Sequence, residues 1–246
     1  MKQSPSVSLS VWWQYLMGQL FYIPLMWWVI LGAKLRGLAI KDHKKLRKYY
    51  RELTQEGSLP LLICPNHMTY VDSIILIYAF GNHFWYGLNF KKHMWNLVAK
   101  EYSKNPLFRF VCYLSKCIYV DREKEKSQNY PALNTAISLL KMHEVVLIFP
   151  EGRRSKTGRF DDTKLAYGVG KVVKEVGECN VLCTYLRCPE QGEKSSGFFP
   201  RNAHYSILTE LVHYKAHELG SEAVSKITED IATRIKVLEK EYFQKL

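Results

Sequence analysis

Beyond Gly57 the sequence alternates between short apolar runs and longer segments with helical spacing. The short runs are rich in β-branched residues and predict strands at 59–64, 96–99, 117–120, 145–149, 181–186 and 205–214. The longer segments predict helices at 71–80, 106–114, 128–142 and 164–176. Such alternation is typical of helices that cover a sheet, so we predict an α/β fold with a mixed, largely parallel sheet flanked by helices.

The last predicted helix carries a single apolar stripe with spacings of three and four residues. The stripe consists of Val224, Ile227, Ile231, Ile235, Leu238 and Tyr242. We expect it to pack on the sheet, because a chain of 246 residues with 47% hydrophobic residues can enclose a substantial core. This apolar share excludes a disordered chain, and a mean hydropathy of −0.20 excludes a polytopic membrane protein.

The N-terminal region contains an apolar run, Val11 to Ala33, that carries no charged residue. As a straight helix it would be about 34 Å long, enough to cross a bilayer core. Pro24 favours a break in such a helix, and the tryptophan pairs at 12–13 and 27–28 favour the membrane interface. Two alternatives stay open here: a spanning helix, or a broken helical hairpin that lies in the headgroup region.

A basic cluster follows this run directly. Residues 34–51 contain eight Lys and Arg and one Asp. This one segment therefore carries more than half of the chain's net charge of +12. Such a cluster attracts anionic lipid and sets a cytoplasmic orientation. We therefore predict a membrane-associating helical segment at 1–56, a separate body at 57–246, and a functional site on the cytoplasmic side of a membrane, the inner (plasma) membrane if the source is bacterial.

Other ligand classes lack a sequence signal. There is no GxGxxG or P-loop fingerprint, and no nucleic-acid-binding motif accompanies the basic excess. Of the six cysteines, none forms a CxxC pair or has a histidine at zinc-binding spacing. We therefore predict no nucleic-acid partner, no metal site and a reducing compartment.

Candidate catalytic residues follow the first strand of the body, where Asn66 and His67 precede Asp72. On a regular helix the side chains of His67 and Asp72 would point about 140° apart. They can meet if His67 lies in the strand-to-helix loop and Asp72 lies in the first helical turn. The carboxylate would then hold one imidazole nitrogen and leave the other as a general base. Without a nucleophilic side chain nearby, this pair suits activation of a substrate hydroxyl.

Two further strand ends carry charged residues. The run at 145–149 is followed by Glu151, Gly152, Arg153, Arg154 and Ser155. This combination of a glycine, two guanidiniums and a hydroxyl can cradle an oxyanion or a phosphate. Asp121 and Arg122 follow the run at 117–120. Ligands of open α/β sheets bind at the carboxyl ends of strands, so we expect all three strand ends to meet at one crevice.

The order of these motifs, NHMTYVD, then CIYVDR, then FPEGRRS, resembles the glycerolipid acyltransferase family of the lysophosphatidate acyltransferase type. The resemblance covers roughly residues 60–188 and includes the segment NLVAKEYSKNPLFRF. It implies that 57–246 is an acyltransferase domain. It also implies O-acyl transfer from acyl-CoA or acyl-carrier protein to the hydroxyl of a lysophospholipid or related glycerolipid, a step of phospholipid biosynthesis with lysophosphatidate as the leading acceptor.

The resemblance also implies roles for individual residues. His67 would be the general base on the acceptor hydroxyl, and Asp72 would orient it. The reaction would need no metal. It would need no cofactor either, because the acyl donor is a co-substrate. The residues expected to bind the acceptor are Asn66, Arg122, Glu151, Gly152, Arg153, Arg154 and Ser155.

Three positions depart from the pattern of this family. Arg153 replaces a threonine, Lys116 replaces a glycine before the second motif, and the strand at 181–186 lacks a Pro-Val pair. These departures concern the acceptor and acyl-chain pockets rather than the chemistry. The acceptor could therefore also be a lyso-aminolipid or another hydroxylated lipid. Two other classes stay open: a catalytically weak lipid-binding member of the same fold, and a thioester hydrolase in which His67 activates water.

Overall fold

The computed structural model describes residues 5–121, 130–163, 165–192, 197–220 and 222–245. Its helices are α1 (Pro5–Leu35), α2 (His43–Leu53), α3 (Asp72–Phe80), α4 (His83–Leu88), α5 (Pro106–Leu114), α6 (Pro131–Lys141), α7 (Gly168–Val176) and α8 (Ala223–Gln244). Its strands are β1 (Ala39–Ile40), β2 (Leu61–Pro65), β3 (Trp95–Ala99), β4 (Cys117–Val120), β5 (Val146–Leu147), β6 (Glu178–Arg187) and β7 (His204–Lys215).

The strands form a sheet in the order β1-β7-β6-β2-β5-β3-β4. β6 and β7 pair antiparallel, with Glu178 opposite Lys215 and Arg187 opposite Ser206. The other neighbouring strands pair parallel. The predicted α/β fold, with a mixed and largely parallel sheet flanked by helices, is confirmed.

Alternate side chains of β2 point into two hydrophobic cores. Leu62 and Cys64 pack into the core that is covered by α6, α7 and α8. Leu61 and Ile63 point into the other core, which includes buried residues of α1, α2, α3 and α4. Since both faces of the strand are covered, its sequence is apolar throughout rather than alternating. The apolar stripe predicted in α8 packs in the first of these cores from Ile227 to Tyr242, which confirms its placement on the sheet.

The uncharged N-terminal run forms one helix, α1, that continues through Pro24. Of the two alternatives for this run, the broken hairpin is therefore wrong. Pro24 lies on the exposed side of α1, whereas Tyr22, Met26 and Ile30 are buried in the core. This packing offsets the loss of the backbone hydrogen bond that a proline removes from a helix.

Among the described residues, no helix is both long and apolar enough to cross a membrane. The association of the segment 1–56 with membranes stays a prediction, and so does the domain boundary after residue 56. Part of this segment belongs to the sheet, because Ala39 and Ile40 pair parallel with His204 and Tyr205 of β7.

Lys116, which stands where the family has glycine, has a left-handed backbone with φ of 53°. This conformation explains why glycine suits the position. The lysine side chain is buried, and its Nζ donates to Glu144 Oε2 at 2.8 Å and to the His93 carbonyl at 3.2 Å. Burial lowers the pKa of Lys116 to about 8, and the charge of Glu144 opposes that change. Lys116 and Glu144 therefore form a buried ion pair.

We expect Glu144→Gln to lower the free energy of unfolding by about 3 kcal/mol, because it leaves the buried ammonium of Lys116 without a counter-charge. Urea unfolding of purified protein would measure this loss. Glu178→Gln is the matched control, since Glu178 pairs with His213 on the surface and should cost less than about 1 kcal/mol. A loss as small as that of the control would contradict a stabilising role for Glu144.

Candidate active site

The carboxyl end of β2 is tied to β6 by Asn66. The side chain of Asn66 accepts a hydrogen bond from the Leu186 N–H at 2.7 Å and donates one to the Leu186 carbonyl at 3.1 Å. This amide is fully buried, so it fixes where the next residue, His67, leaves the sheet. Binding of substrate by Asn66 stays a prediction.

His67 and Asp72 meet across the loop between β2 and α3, as their spacing predicts. His67 Nδ1 lies 3.0 Å from Asp72 Oδ2, and Asp72 is the first residue of α3. The Asp72 carboxylate is buried and also accepts hydrogen bonds from the Met68 N–H at 2.6 Å and the Thr69 N–H at 2.8 Å. Its other oxygen accepts from the Thr69 hydroxyl at 2.6 Å. The carboxylate therefore organises the loop and holds one nitrogen of the imidazole.

The segment after β5 fixes His67 from the other side. The ring of Phe149 stacks on the imidazole with 3.9 Å between centroids and 20° between planes. The His67 N–H donates to Glu151 Oε1 at 2.7 Å, and the His67 carbonyl accepts from the Ser155 N–H at 2.8 Å. Main chain and ring are thus both restrained, which leaves the imidazole little freedom to turn.

Glu151 and Ser155 direct their side chains into the protein. The second carboxylate oxygen of Glu151 accepts from the Asp161 N–H at 3.2 Å. Burial raises the pKa of Glu151 to about 8, and the backbone donors of His67 and Asp161 oppose that rise. The buried Ser155 hydroxyl lies 3.3 Å from the Thr157 hydroxyl. In this structure these residues position His67; contact with substrate stays a prediction for both.

Gly152 provides the turn between these residues. Its φ is 62°, a region that side chains disfavour, and a Cβ at this position would lie 3.0 Å from the Cβ of Ala166. The turn begins at Phe149, two residues after the end of β5, and the Gly152 N–H donates to the Phe149 carbonyl at 3.0 Å. Because the chain turns here, β5 is shorter than the strand predicted at 145–149.

The two arginines of this segment differ in their contacts. Arg153 Nη2 donates to Asp161 Oδ2 at 3.1 Å. The Arg154 guanidinium lies over the ring of Tyr70, 3.6 Å from its centroid. A cation over an aromatic face keeps donors at the edge of its guanidinium plane for an anionic ligand.

These side chains border a cleft of about 960 Å³. Its wall includes His67, Tyr70, Phe149, Gly152, Arg153 and Arg154. An apolar part comes from residues such as Leu97, Val120, Leu133 and Ile148, and further cations come from Lys156 and Lys171. The volume of the cleft and its combination of apolar and cationic side chains fit a ligand with an apolar chain and an anionic group.

Sequence reasoning missed several residues of this wall. Tyr70 lies between His67 and Asp72 in the motif NHMTYVD, and Phe149 begins the motif FPEGRRS two residues before Glu151; these positions were the available signal. Lys156 directly follows the motif FPEGRRS, and that position was its signal. Lys171 had none, since only the fold brings α7 to the cleft.

The third strand end lies at β4, which contributes Val120 to the cleft. Asp121 follows and accepts from Lys100 Nζ at 2.9 Å. Arg122 lies outside the described residues, so its predicted binding role stays a prediction. Within the described part of the chain, no group of three or more His, Cys, Asp and Glu side chains is placed to hold a metal ion.

Comparison with known proteins adds three findings. No curated protein sequence matches the chain. Its structure is similar to the crystal structure of the 1-acyl-sn-glycerophosphate (LPA) acyltransferase, PlsC, from Thermotoga maritima, with a TM-score of 0.48 and 18% sequence identity over 91% of this chain and 95% of that chain. Residues 39–185 match the sequence model of the acyltransferase family, and we assign the family on this match alone. Since the matched range is more than half of the chain and contains both His67 and Asp72, the protein is an enzyme that belongs to the acyltransferase family.

Proposed function

We propose that the protein transfers a fatty acyl group from a thioester donor to the hydroxyl of a lysophospholipid, with His67 as general base. The observation that carries this proposal is the contact between His67 Nδ1 and the buried carboxylate of Asp72, at the wall of a cleft large enough for an acyl chain. Membership of the acyltransferase family supports the reaction class. The glycerolipid substrate class rests on the order of the sequence motifs.

In the proposed reaction, His67 Nε2 takes the proton of the acceptor hydroxyl as the oxygen attacks the thioester carbonyl. The tetrahedral intermediate then expels the thiolate. The imidazolium gives its proton to this leaving group, so the products are an ester and a free thiol. Asp72 stabilises the imidazolium and keeps Nδ1 as the nitrogen that faces it. A general base contributes about 10²–10⁴-fold, and holding both substrates in register supplies much of the rest.

The walls of the cleft suit two different parts of the substrates. We infer that its apolar wall holds an acyl chain and that Arg153, Arg154 and Lys156 attract the phosphate of the acceptor. Lysophosphatidate is the leading acceptor because it presents an exposed phosphomonoester. Donor carrier and acyl chain length stay open, as do a lyso-aminolipid or another lysophospholipid as acceptor.

We also propose that the enzyme works at the cytoplasmic surface of a membrane. Lys44, Lys45 and Lys48 on α2 are exposed, and so are Trp27 and Trp28 on α1, the helix before it in the sequence. Exposed indole rings and basic side chains both favour the anionic headgroup region.

Mass spectrometry of reaction products tests the proposed function. Purified protein would receive acyl-CoA and acyl-carrier-protein donors together with a panel of lysolipids that includes lysophosphatidate. We expect a diacyl product that contains the supplied chain. Release of free fatty acid alone would indicate a thioester hydrolase, and the absence of any product would contradict the proposal.

We expect Arg154→Ala to raise the KM for a phosphorylated acceptor by about tenfold with little change in kcat, since loss of one charge-assisted contact costs about 1.4 kcal/mol. Steady-state kinetics at saturating donor would measure this. Arg153→Ala is the matched control, and we expect a smaller effect because Asp161 already pairs with that guanidinium. An unchanged KM in Arg154→Ala would show that Arg154 does not bind the acceptor phosphate.

A further inference from the structure

Helix α5 exposes most of its large apolar side chains. Leu107 is 72% exposed, Phe110 46%, Phe108 41% and Tyr113 38%. Only Cys112 and Leu114 are buried in this helix. Four large apolar side chains on a helix of nine residues form a surface that a soluble chain normally covers. We call these four side chains the α5 surface.

The α5 surface continues into α1, the helix that carries the predicted membrane-associating run. The ring of Phe21 on α1 contacts that of Phe110, with 6.3 Å between centroids at 67°. Phe21 is itself 44% exposed. A ligand that covers one of these helices would therefore also reach the other.

In the opposite direction, aromatic rings connect the α5 surface to the cleft. Phe108 lies 5.5 Å from Tyr102, and Tyr102 lies 6.4 Å from Tyr70, both measured between ring centroids. Tyr70 and Tyr102 line the cleft together with His67. The α5 surface is therefore continuous with the rim of the cleft.

The charges around the α5 surface identify what covers it. Residues 102–120 contain no Asp or Glu, and residues 1–41 contain none either. Lys104 and Arg109 are exposed beside the apolar side chains. A cytoplasmic bilayer surface is negative, and an arginine within an apolar surface can extend its guanidinium to lipid phosphates. Apolar, basic and without an Asp or Glu from 102 to 120, α5 is complementary to an anionic bilayer, and the nearest carboxylate in sequence, that of Glu101, lies at the cleft.

We propose that α5 inserts its exposed side chains into the headgroup region of an anionic bilayer and thereby places the Tyr70–Tyr102 rim of the cleft on the membrane. Short amphipathic helices bind membranes in this way through buried apolar area and electrostatic attraction. An acceptor lipid could then reach His67 without leaving the membrane; this consequence rests on the proposed function, whereas the binding itself does not.

The test compares Leu107→Glu with Val237→Glu in the full chain. Leu107 lies in the first turn of α5, where a glutamate favours the helix, so the variant should fold. Val237 is the matched control, because it is 49% exposed and lies on α8, whose buried residues pack in the core on the opposite face of the sheet from those of α1. Co-sedimentation would use phosphatidylcholine vesicles with and without phosphatidylglycerol. We expect Leu107→Glu to lower binding to the anionic vesicles by about tenfold or more, and Val237→Glu to change it by less than about twofold.

Three outcomes would overturn the proposal. Equal binding of the two variants would show that α5 does not touch the bilayer. Undiminished binding of the wild type to vesicles without phosphatidylglycerol would remove the role of charge. A change in oligomeric state of Leu107→Glu, with unchanged vesicle binding, would make the α5 surface an interface between copies of the chain.

Activity distinguishes this proposal from the proposed function. Leu107→Glu should keep its turnover of short-chain, water-soluble substrates and lose it on acceptor embedded in vesicles. An equal loss on both substrates would contradict a role in membrane access. If the wild type transfers no acyl group at all, the proposed function fails, and vesicle binding still decides the role of α5.

Discussion

Replacement of His67 by alanine is expected to lower the turnover of acyl transfer by about 10²–10⁴-fold and to leave the fold intact. In the proposed mechanism the imidazole takes the proton of the acceptor hydroxyl through Nε2, because Asp72 holds its other nitrogen. The bonds that tie this residue to Glu151 and Ser155 use its main chain and survive the substitution. The measurement is single-turnover transfer under saturating substrates, with the melting temperature compared in parallel.

His213→Ala provides the matched control for this prediction. His213 also pairs with a carboxylate at 3.0 Å, that of Glu178, but on the exposed surface away from the cleft. We expect its turnover to stay within about twofold of the wild type, because His213 lies away from the cleft and a surface ion pair contributes little to stability. Near-normal turnover in His67→Ala would exclude the general-base mechanism.

The sheet could be predicted because strands covered on both faces are apolar throughout. The runs around Leu62, Val146 and Val181 are of this kind, and each pairs in the centre of the sheet. By contrast, β1 contains two residues and forms only through its contact with β7, far along the chain. No local pattern marks such a strand.

The contact between His67 and Asp72 was predictable because it is local. His67 and Asp72 lie in one loop and one helical turn, so spacing alone indicated how they could meet. The restraint on His67 by Phe149 and Glu151 comes from the segment that follows the neighbouring parallel strand β5, more than eighty residues away in sequence. Sequence reasoning placed Glu151 near the site but assigned it to substrate, because the fold decides which donors a buried carboxylate faces.

One of the two alternatives for α1, the broken hairpin, failed for a related reason. Local preference puts a break at Pro24, and the tertiary contacts of Tyr22, Met26 and Ile30 stabilise a continuous helix. Lys116 is a second case, since the sequence shows a departure from glycine but not that Glu144 lies within 2.8 Å of its ammonium. In both cases burial outweighs the intrinsic preference of one residue.

Asp72→Asn is expected to lower turnover by about 10²-fold or more while the loop keeps its shape. If the amide oxygen takes the place of Oδ2, it still accepts from the Met68 and Thr69 N–H groups. The amide nitrogen then faces the Thr69 hydroxyl, which can accept. What is lost is the negative charge that stabilises the imidazolium as the acceptor proton moves to His67.

Steady-state kinetics and thermal unfolding together test this prediction. We expect a fall in kcat with an acceptor KM and a melting temperature close to those of the wild type, because loop and cleft are preserved. Asp162→Asn is the matched control: it removes a carboxylate that pairs with Lys236 on the surface and should leave kcat unchanged. A fall in kcat that only accompanies a large loss of thermal stability would reduce Asp72 to a structural residue of the loop. A normal kcat would mean that acyl transfer proceeds without charge stabilisation of His67, and the proposed mechanism would be wrong.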